Sequence, residues 1–544
     1  MEDARRSFWG WGHADETLPD AFVENFKAMV MAVFEMSELV EQPPPRIEDI
    51  LLRPPRFALP ESMGDFCVDT PLDRAGHTFG KSLRDVLRAL SRQFDNPPDY
   101  VAYPRTEEDI RQLMAFCASQ SVALVPYGGG SSVVGGVAQP TGGYRGSISC
   151  DMRRFDKIIS VNPAARTARI QAGIYGPALE NGLKKHGLTL RHFPQSFEFS
   201  TLGGWIATRA GGHFSTLYTH IDEFVQAVRM ITPEGVFETR ELPGTGDGPD
   251  ANRLLIGSEG IFGIITEATM RLQTIPTMRA SASVAFADEK SGVDAVHHIS
   301  QSGLYPANCR LVSSLESFSM GIGDGSHAVL LLGFESHDHP QDANLARALE
   351  ICGQYNGTWA DKDVRTSQTP SEASGASVSQ RWKDNFLRAP YMRDVLARCG
   401  VITETFETAV TWDRFDVFHS RVQADTQAAV NDLCGKGLVM WRFTHIYPDG
   451  PTLYYTVVAP GKRGEEINQW DAVKKAASDA IIANGGTITH HHAVGRDHRP
   501  WYEKSRPAMM GKVLGRVKQT LDPKWILNPE VLIAPEQLKD AGQK

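Results

Sequence analysis

The chain has 544 residues, 41% hydrophobic and 22% charged, with a formal net charge of -9. That length implies about two to four domains, and the thinly spread charge, with no basic block, excludes electrostatic nucleic-acid binding. Seven cysteines (Cys67, Cys117, Cys150, Cys309, Cys352, Cys399, Cys434) never form a Cys-x-x-Cys pair, which argues against a disulfide framework or zinc knuckle and for a reducing, cytoplasmic location. No apolar run reaches about eighteen residues, Met1-Glu2-Asp3 opens no signal-peptide core, and Ala541-Gly542-Gln543-Lys544 is not a peroxisomal address.

Residues 1–95 hold Trp9-Gly10-Trp11-Gly12 and then residues 21–36, where Phe22, Phe26, Met29, Val30 and Phe34 recur at helical spacing. This amphipathic helix either packs on the body or touches a membrane surface. Its polar face is not Lys/Arg-rich, which favours packing. Pro43-Pro44-Pro45 and Pro54-Pro55 force an extended connector. From Tyr100 the pattern is strand, helix, strand. Thr106 and Asp109 are spaced as a capping box, and Ile110, Leu113, Met114 and Cys117 form the stripe of a helix covering a sheet.

The apolar run Val122-Ala123-Leu124-Val125 enters Pro126-Tyr127-Gly128-Gly129-Gly130-Ser131-Ser132-Val133-Val134-Gly135-Gly136. Glycines leave backbone N–H groups uncovered, so such a loop suits a pyrophosphate, although a purely structural turn has the same letters. A Walker loop needs Lys-Ser/Thr where Gly136-Val137 stand, and a Rossmann fingerprint needs glycine at Val133. Residues 157–161 with 167–171, and 225–231 with 236–239, read as hairpins. Two more glycine clusters follow, Thr201-Leu202-Gly203-Gly204-Trp205 with Thr208-Arg209-Ala210-Gly211-Gly212, and Gly257-Ser258-Glu259-Gly260-Ile261-Phe262-Gly263. Three such loops suit one extended, phosphate-bearing cofactor.

A second rhythm begins near residue 281: strand 281–286, helix 291–301, strand 328–334, helix 343–355, strand 438–447, strand 452–459 and helix 465–484. This predicts an antiparallel sheet with helices on one face. Residues 366–380, rich in Ser, Thr and Ala, read as a mobile loop or lid. Gly485-Gly486 stop the last helix, and a short strand over 487–489 leads into His490-His491-His492.

Taken together, these stretches resemble the FAD-binding oxidases of the vanillyl-alcohol-oxidase type and, among them, the alkyldihydroxyacetonephosphate synthases. The resemblance covers about residues 95–535. It rests on residues 126–132, Phe199-Ser200-Thr201-Leu202-Gly203-Gly204-Trp205-Ile206-Ala207-Thr208-Arg209-Ala210, Gly257-Ser258-Glu259-Gly260, residues 404–414 and residues 483–495. It implies an α+β fold with a helical N-terminal extension (1–95), an FAD-binding domain (96–278), an antiparallel-sheet cap (279–489) and a C-terminal segment returning to the FAD domain (490–544). FAD is expected on Pro126, Gly128, Gly129, Gly130, Ser131 and Ser132, on Ser196, Thr201, Gly204 and Thr208, and on Glu259, Gly260, Gly263 and Ile264. In several relatives a histidine of the first loop bonds the flavin. Here Ser131 and Ser132 stand there, so non-covalent FAD is expected.

A run of three histidines is most often a solvated loop. This one matches the synthases' own run, with Ala493 in place of a glycine, and the resemblance puts His490, His491 and His492 near the flavin, with His491 handling a proton. Tyr454 matches an active-site tyrosine. It adjoins Tyr455 on a strand, so only one of the two faces the flavin. Arg393 and Arg310 match arginines at the substrate site, suited to phosphate or carboxylate, and Thr208 matches a threonine near the flavin. D-2-hydroxy-acid dehydrogenases of this architecture carry a metal at a His-x-Gly-Asp-Gly-Asn-Leu-His pattern and a Glu-His pair. Here His445 keeps the first histidine, Tyr454 replaces the second, and His491-His492 stand for the pair, so no metal is expected. The resemblance implies exchange of the acyl chain of acyl dihydroxyacetone phosphate for a fatty alcohol. The alternatives are oxidation of a small hydroxy acid or other alcohol, or FAD storage without turnover. A lipid-like or anionic substrate is expected, peripheral membrane contact would follow from the 21–36 helix, and a homodimer is the family's habit.

Overall fold

The computed structural model describes residues 6–367 and 378–534. The predicted mobile loop at 366–380 lies largely outside the described residues. Its last residues already belong to the helix Val378–Arg398.

The domain expected to bind FAD is built from two sheets with the glycine loops between them. In the first, Tyr100–Ala102, Gly146–Asp151 and Val122–Tyr127 pair in parallel, and Cys67–Val68 adds an antiparallel edge. The helix Glu107–Gln120 covers this sheet. Thr106 and Asp109 close a reciprocal capping box at its start, and Ile110, Leu113, Met114 and Cys117 are its buried stripe. The second sheet is antiparallel and contains both expected hairpins, Ile158–Asn162 with Thr167–Gln171 and Val225–Thr232 with Gly235–Glu238, joined through Ile264–Arg271.

The cap is a seven-stranded antiparallel sheet. Side-chain alternation divides its faces. Leu330, Leu332, Val439, Trp441, Phe443 and Tyr455 enter a core shared with the helices Glu289–Gln301, Asp342–Gln354, Trp412–Cys434 and Glu466–Ala483. Their neighbours Val312, Val329 and Leu331 pack instead on Trp382 of Val378–Arg398. Strand Leu438–Tyr447 loses register against Gly450–Pro460 between Phe443 and His445. The helices Val378–Arg398, which carries Pro390 internally, and Trp412–Cys434 were not anticipated. The apolar residues of Val378–Arg398 are divided among three clusters, whereas Trp412–Cys434 buries a regular stripe of Phe415, Phe418, Val422 and Val430.

The N-terminal helix runs Asp20–Val33, shorter than expected, because Phe34 and Glu35 leave helical geometry. Its Val30, with Phe34, packs on Met392, Leu396 and Val401. The expected strand at 487–489 is a correction: these residues form no ladder, because Thr487 and Thr489 are bonded to Ala409, Thr408 and Glu407 of the cap in irregular geometry. The helix before them does stop at Gly485, whose φ is +74°.

The chain ends by returning to the first sheet. Leu124 N–H donates to Ile526 O (2.8 Å) and Asn528 N–H donates to Leu124 O (2.9 Å). Lys518 anchors this return from inside the protein, donating to Asp522 Oδ2 (2.5 Å), Ile261 O (2.6 Å) and Leu527 O (2.8 Å). Removing the cation strands a fully buried carboxylate, so Lys518→Ala is expected to cost about 3–5 kcal/mol, measured as a lower urea midpoint with flavin released at lower denaturant.

Candidate active site

A cavity of about 710 Å³ lies between the glycine loops and the face of the cap sheet that carries Val378–Arg398, a helix on the face that the sequence reading left uncovered. Its lining has three parts. The first is the glycine loop Gly128–Ser132 with Ser196, Thr201, Gly204 and Thr208. The second is a polar group made of Arg310, Glu316, Arg442, Tyr454, His445, His491 and His492. The third is apolar, with Phe22, Phe26, Met29 and Val33 of the N-terminal helix facing Leu315, Phe318, Leu396 and Met440. A second cavity of about 110 Å³ continues between the two sheets past Pro126, Gly260, Gly263 and Ile264. It shares Gly128, Ser132, Thr201, Gly204 and Thr208 with the first.

The loops are fitted for a large ligand held by backbone. A Cβ on Gly129 would lie 1.9 Å from Phe199 O, so only glycine lets the two loops meet. Arg6 fastens them, donating to Gly129 O and, at 3.3 Å, to Phe199 O. Ser132 Oγ accepts from Gly136 N–H (2.9 Å) and its carbonyl accepts from Lys81 N–H (2.7 Å). Glu259 borders the second cavity, but its carboxylate is occupied: it accepts the N–H groups of Val494 (2.9 Å) and Gly495 (2.8 Å), while burial pushes its pKa up to about 7.

The histidine run is held by a residue the sequence reading gave no role. Glu407, buried on strand Val401–Ala409, accepts the backbone N–H groups of His490 (2.5 Å), His491 (3.1 Å) and His492 (2.9 Å) and the Thr489 hydroxyl (2.5 Å). Burial opposes its charge, but the three imidazoles and these donors hold its pKa well below the usual 4.5. Burial lowers the pKa of His491, partly offset by Glu407, and lowers those of His490 and His492 further. His491 is thus a neutral base at neutral pH. Its ring stacks on Tyr454 with centroids 6.0 Å apart, and His492 meets the same phenol edge-on at 5.6 Å. His490 does not reach the cavity. It bonds His491, Nδ1 to Nδ1, at 3.1 Å and Tyr447 Oη at 3.1 Å.

Tyr454 lines the cavity, whereas Tyr455 points into the core, stacked on Phe406 and bonded to His419 Nδ1 at 2.9 Å. Under Tyr454 lies the guanidinium of Arg442, 3.9 Å from the ring centre and paired with Glu316. An arginine inside the apolar run Val439-Met440-Trp441-Arg442-Phe443 was a visible signal, since buried charge in a strand needs a reason. Glu407 offered no such signal, because its strand alternates Thr and Glu with apolar residues and so reads as half-exposed.

The two expected arginines differ. Arg310 is buried, lies over Trp382 (4.1 Å) and makes one long contact to Thr444 O (3.4 Å), leaving Nε and Nη1 without partners. Burial and the adjacent Arg442 lower its pKa to about 9. Arg393 also borders the cavity, but its guanidinium is committed to Asp394 Oδ1 (2.9 and 2.7 Å) and Lys81 O (2.5 Å). Asp394 in turn accepts Trp11 N–H at 2.5 Å. Thr208 lines both cavities, with its hydroxyl donated to Gly204 O at 2.8 Å.

Residues 98–240 match the FAD binding domain family and residues 275–532 match FAD linked oxidases, C-terminal domain. The fold and site therefore define a flavoprotein of the FAD-linked oxidase class, with FAD as its cofactor. The alkyldihydroxyacetonephosphate synthase of Dictyostelium discoideum is 32% identical over 525 residues, covering 91% of this chain and 84% of that protein. That of Trypanosoma brucei brucei is 30% identical, covering 85% and 77%. A solved alkyldihydroxyacetonephosphate synthase structure superposes with a TM-score of 0.78 at 27% identity, covering 96% of this chain and 98% of that one. p-Cresol methylhydroxylase shares the fold, with a TM-score of 0.66 at 15% identity. The chain belongs to the alkyldihydroxyacetonephosphate synthase family.

Because the folded-state pKa of Glu407 lies below its unfolded value, its stabilisation is complete above pH 4.5 and fades as pH falls further. Glu407→Gln keeps the shape but sets an amide N–H against backbone donors. It is expected to cost about 1–3 kcal/mol at neutral pH, and the gap from wild type in thermal midpoint should close progressively below pH 4.5.

Proposed function

We propose that the protein exchanges the acyl chain of an acyl dihydroxyacetone phosphate for a fatty alcohol, forming an ether lipid precursor without net redox change. The observation that carries this reading is Arg310. Its two unpaired, buried N–H donors face a cavity that also holds a tyrosine–histidine pair and an apolar wall. A guanidinium so placed binds the substrate phosphate and holds its first carbon toward the flavin side. Arg393, tied to Asp394, borders the same cavity from the helix Val378–Arg398. The chains of fatty acid and alcohol occupy the apolar part.

When bound, FAD supplies the nucleophilic chemistry at the reacting carbon. The residues of this chain move the protons. The C–O bond to the acyl group breaks and the fatty acid leaves as carboxylate. A bond from the same carbon to the alcohol oxygen forms, and the one proton released, that of the hydroxyl, passes to neutral His491, whose ring is held against Tyr454. Val33, Leu315 and Phe318, which line the apolar part, remain 42%, 38% and 44% exposed, and we assign this rim to contact with a membrane surface from which the chains enter. No helix among the described residues is long and apolar enough to cross a membrane.

Incorporation of labelled fatty alcohol into ether product tests the reaction. His491→Ala and Tyr454→Phe should each reduce it by about 100-fold or more. Rapid flavin bleaching by a hydroxy acid without acyl exchange would replace this reading with an oxidoreductase. Acid precipitation should leave the flavin in solution, as expected for FAD held without a covalent bond. A yellow pellet would contradict it.

A further inference from the structure

We propose that His445, His490 and His491 form a site for one divalent transition-metal ion, zinc or cobalt, with a fourth position open to the cavity. One ring nitrogen from each lies within 4.8 Å of the others. Around a tetrahedral ion such nitrogens stand about 3.3 Å apart, given Zn–N bonds of about 2.0–2.1 Å. Nδ1 of His490 and Nδ1 of His491 are already 3.1 Å apart, so modest rotation of the rings completes the triangle.

Hydrogen bonding prepares the nitrogens. His445 Nε2 donates to Gly212 O at 2.9 Å, which fixes the tautomer and leaves Nδ1 a bare lone pair, buried and without a partner. An imidazole acceptor facing no donor is a cost that a cation would relieve. The Nε2 of His490 meets the Tyr447 hydroxyl at 3.1 Å, so its proton has a place to reside when Nδ1 ligates. Backing of the second ring nitrogen by a carbonyl or hydroxyl is how ligating histidines are oriented. Glu407 Oε2, 3.6 Å from His491 Nδ1, adds compensating charge. His445 and His491 border the cavity and His490 stands behind them, so the open side faces substrate. Three imidazoles and no carboxylate select zinc, cobalt, nickel or copper over magnesium or calcium.

His490 precedes the residues of the dehydrogenase metal pattern, and it supplies the ligand that Tyr454 removes from that pattern. An ion here holds the ring that moves the proton in the proposed reaction, and in that respect the inference rests on the proposed function: zinc should act as an inhibitor.

Metal-free, FAD-loaded protein titrated with Co²⁺ should bind one equivalent, giving visible bands to the red of the flavin absorption that Zn²⁺ abolishes. His445→Ala and His490→Ala should each weaken binding by about 100-fold or more, whereas Tyr454→Phe should retain it. The flavin spectrum of each variant reports whether it has folded. Absence of the bands, or binding unchanged in both histidine variants, overturns the site. If the ion binds as described but no condition yields ether product, the reaction assignment fails and the site stands.

Discussion

Everything at the centre of this protein depends on one carboxylate. Glu407 accepts three consecutive backbone N–H groups from the histidine run, so the main chain is fixed and the imidazoles are left free to point where the fold sends them. A few residues on, Glu259 repeats the arrangement from the FAD domain, holding Val494 and Gly495. The segment is thus clasped by the cap on one side and by the cofactor domain on the other. Burying two carboxylates is expensive unless donors meet their oxygens; backbone N–H groups meet both oxygens of each, which holds Glu407 ionised while burial still pushes the Glu259 pKa up to about 7. The histidine run takes its geometry from both clasps together.

The charges on the cavity wall follow a similar logic with the opposite outcome. Arg442 and Glu316 neutralise one another within the sheet, and Arg442 supports the phenol of Tyr454 from beneath. Arg310, beside them, has no carboxylate of its own. A buried guanidinium with free donors carries a desolvation cost that an anionic partner would offset. Arg393 shows the contrast: matched by resemblance alone, it is already satisfied by Asp394 and Lys81.

Much of the fold was legible because periodicity and punctuation agreed. The capping box at Thr106 and Asp109, both hairpins of the second sheet and the stop at Gly485 lie where their letters place them. The helix Val378–Arg398 was missed because its apolar residues are divided among three clusters and Pro390 interrupts it, whereas Trp412–Cys434 carries a regular stripe, Phe415, Phe418, Val422 and Val430, that was legible all the same. The strand read into residues 487–489 failed for another reason. Thr487-Ile488-Thr489 alternates as a strand should, but its backbone and hydroxyls are spent on the cap. In the site, residue types with rare surroundings were readable, such as Arg442 in its apolar run. Glu407 was not, because its role is to hold main chain, and main chain leaves no mark in sequence.

The register shift in strand Leu438–Tyr447 has a consequence of parity. Up to Phe443 the strand keeps step, with Met440 and Arg442 toward the cavity and Val439, Trp441 and Phe443 toward the core. At the shift the count slips by one, so Thr444 and His445, adjacent in sequence, both face the cavity, and Ile446 returns to the core. In an even count His445 would lie among phenylalanines and Ile446 would stand beside His491. A single supernumerary residue therefore decides whether this wall of the cavity ends in an imidazole or in a hydrocarbon.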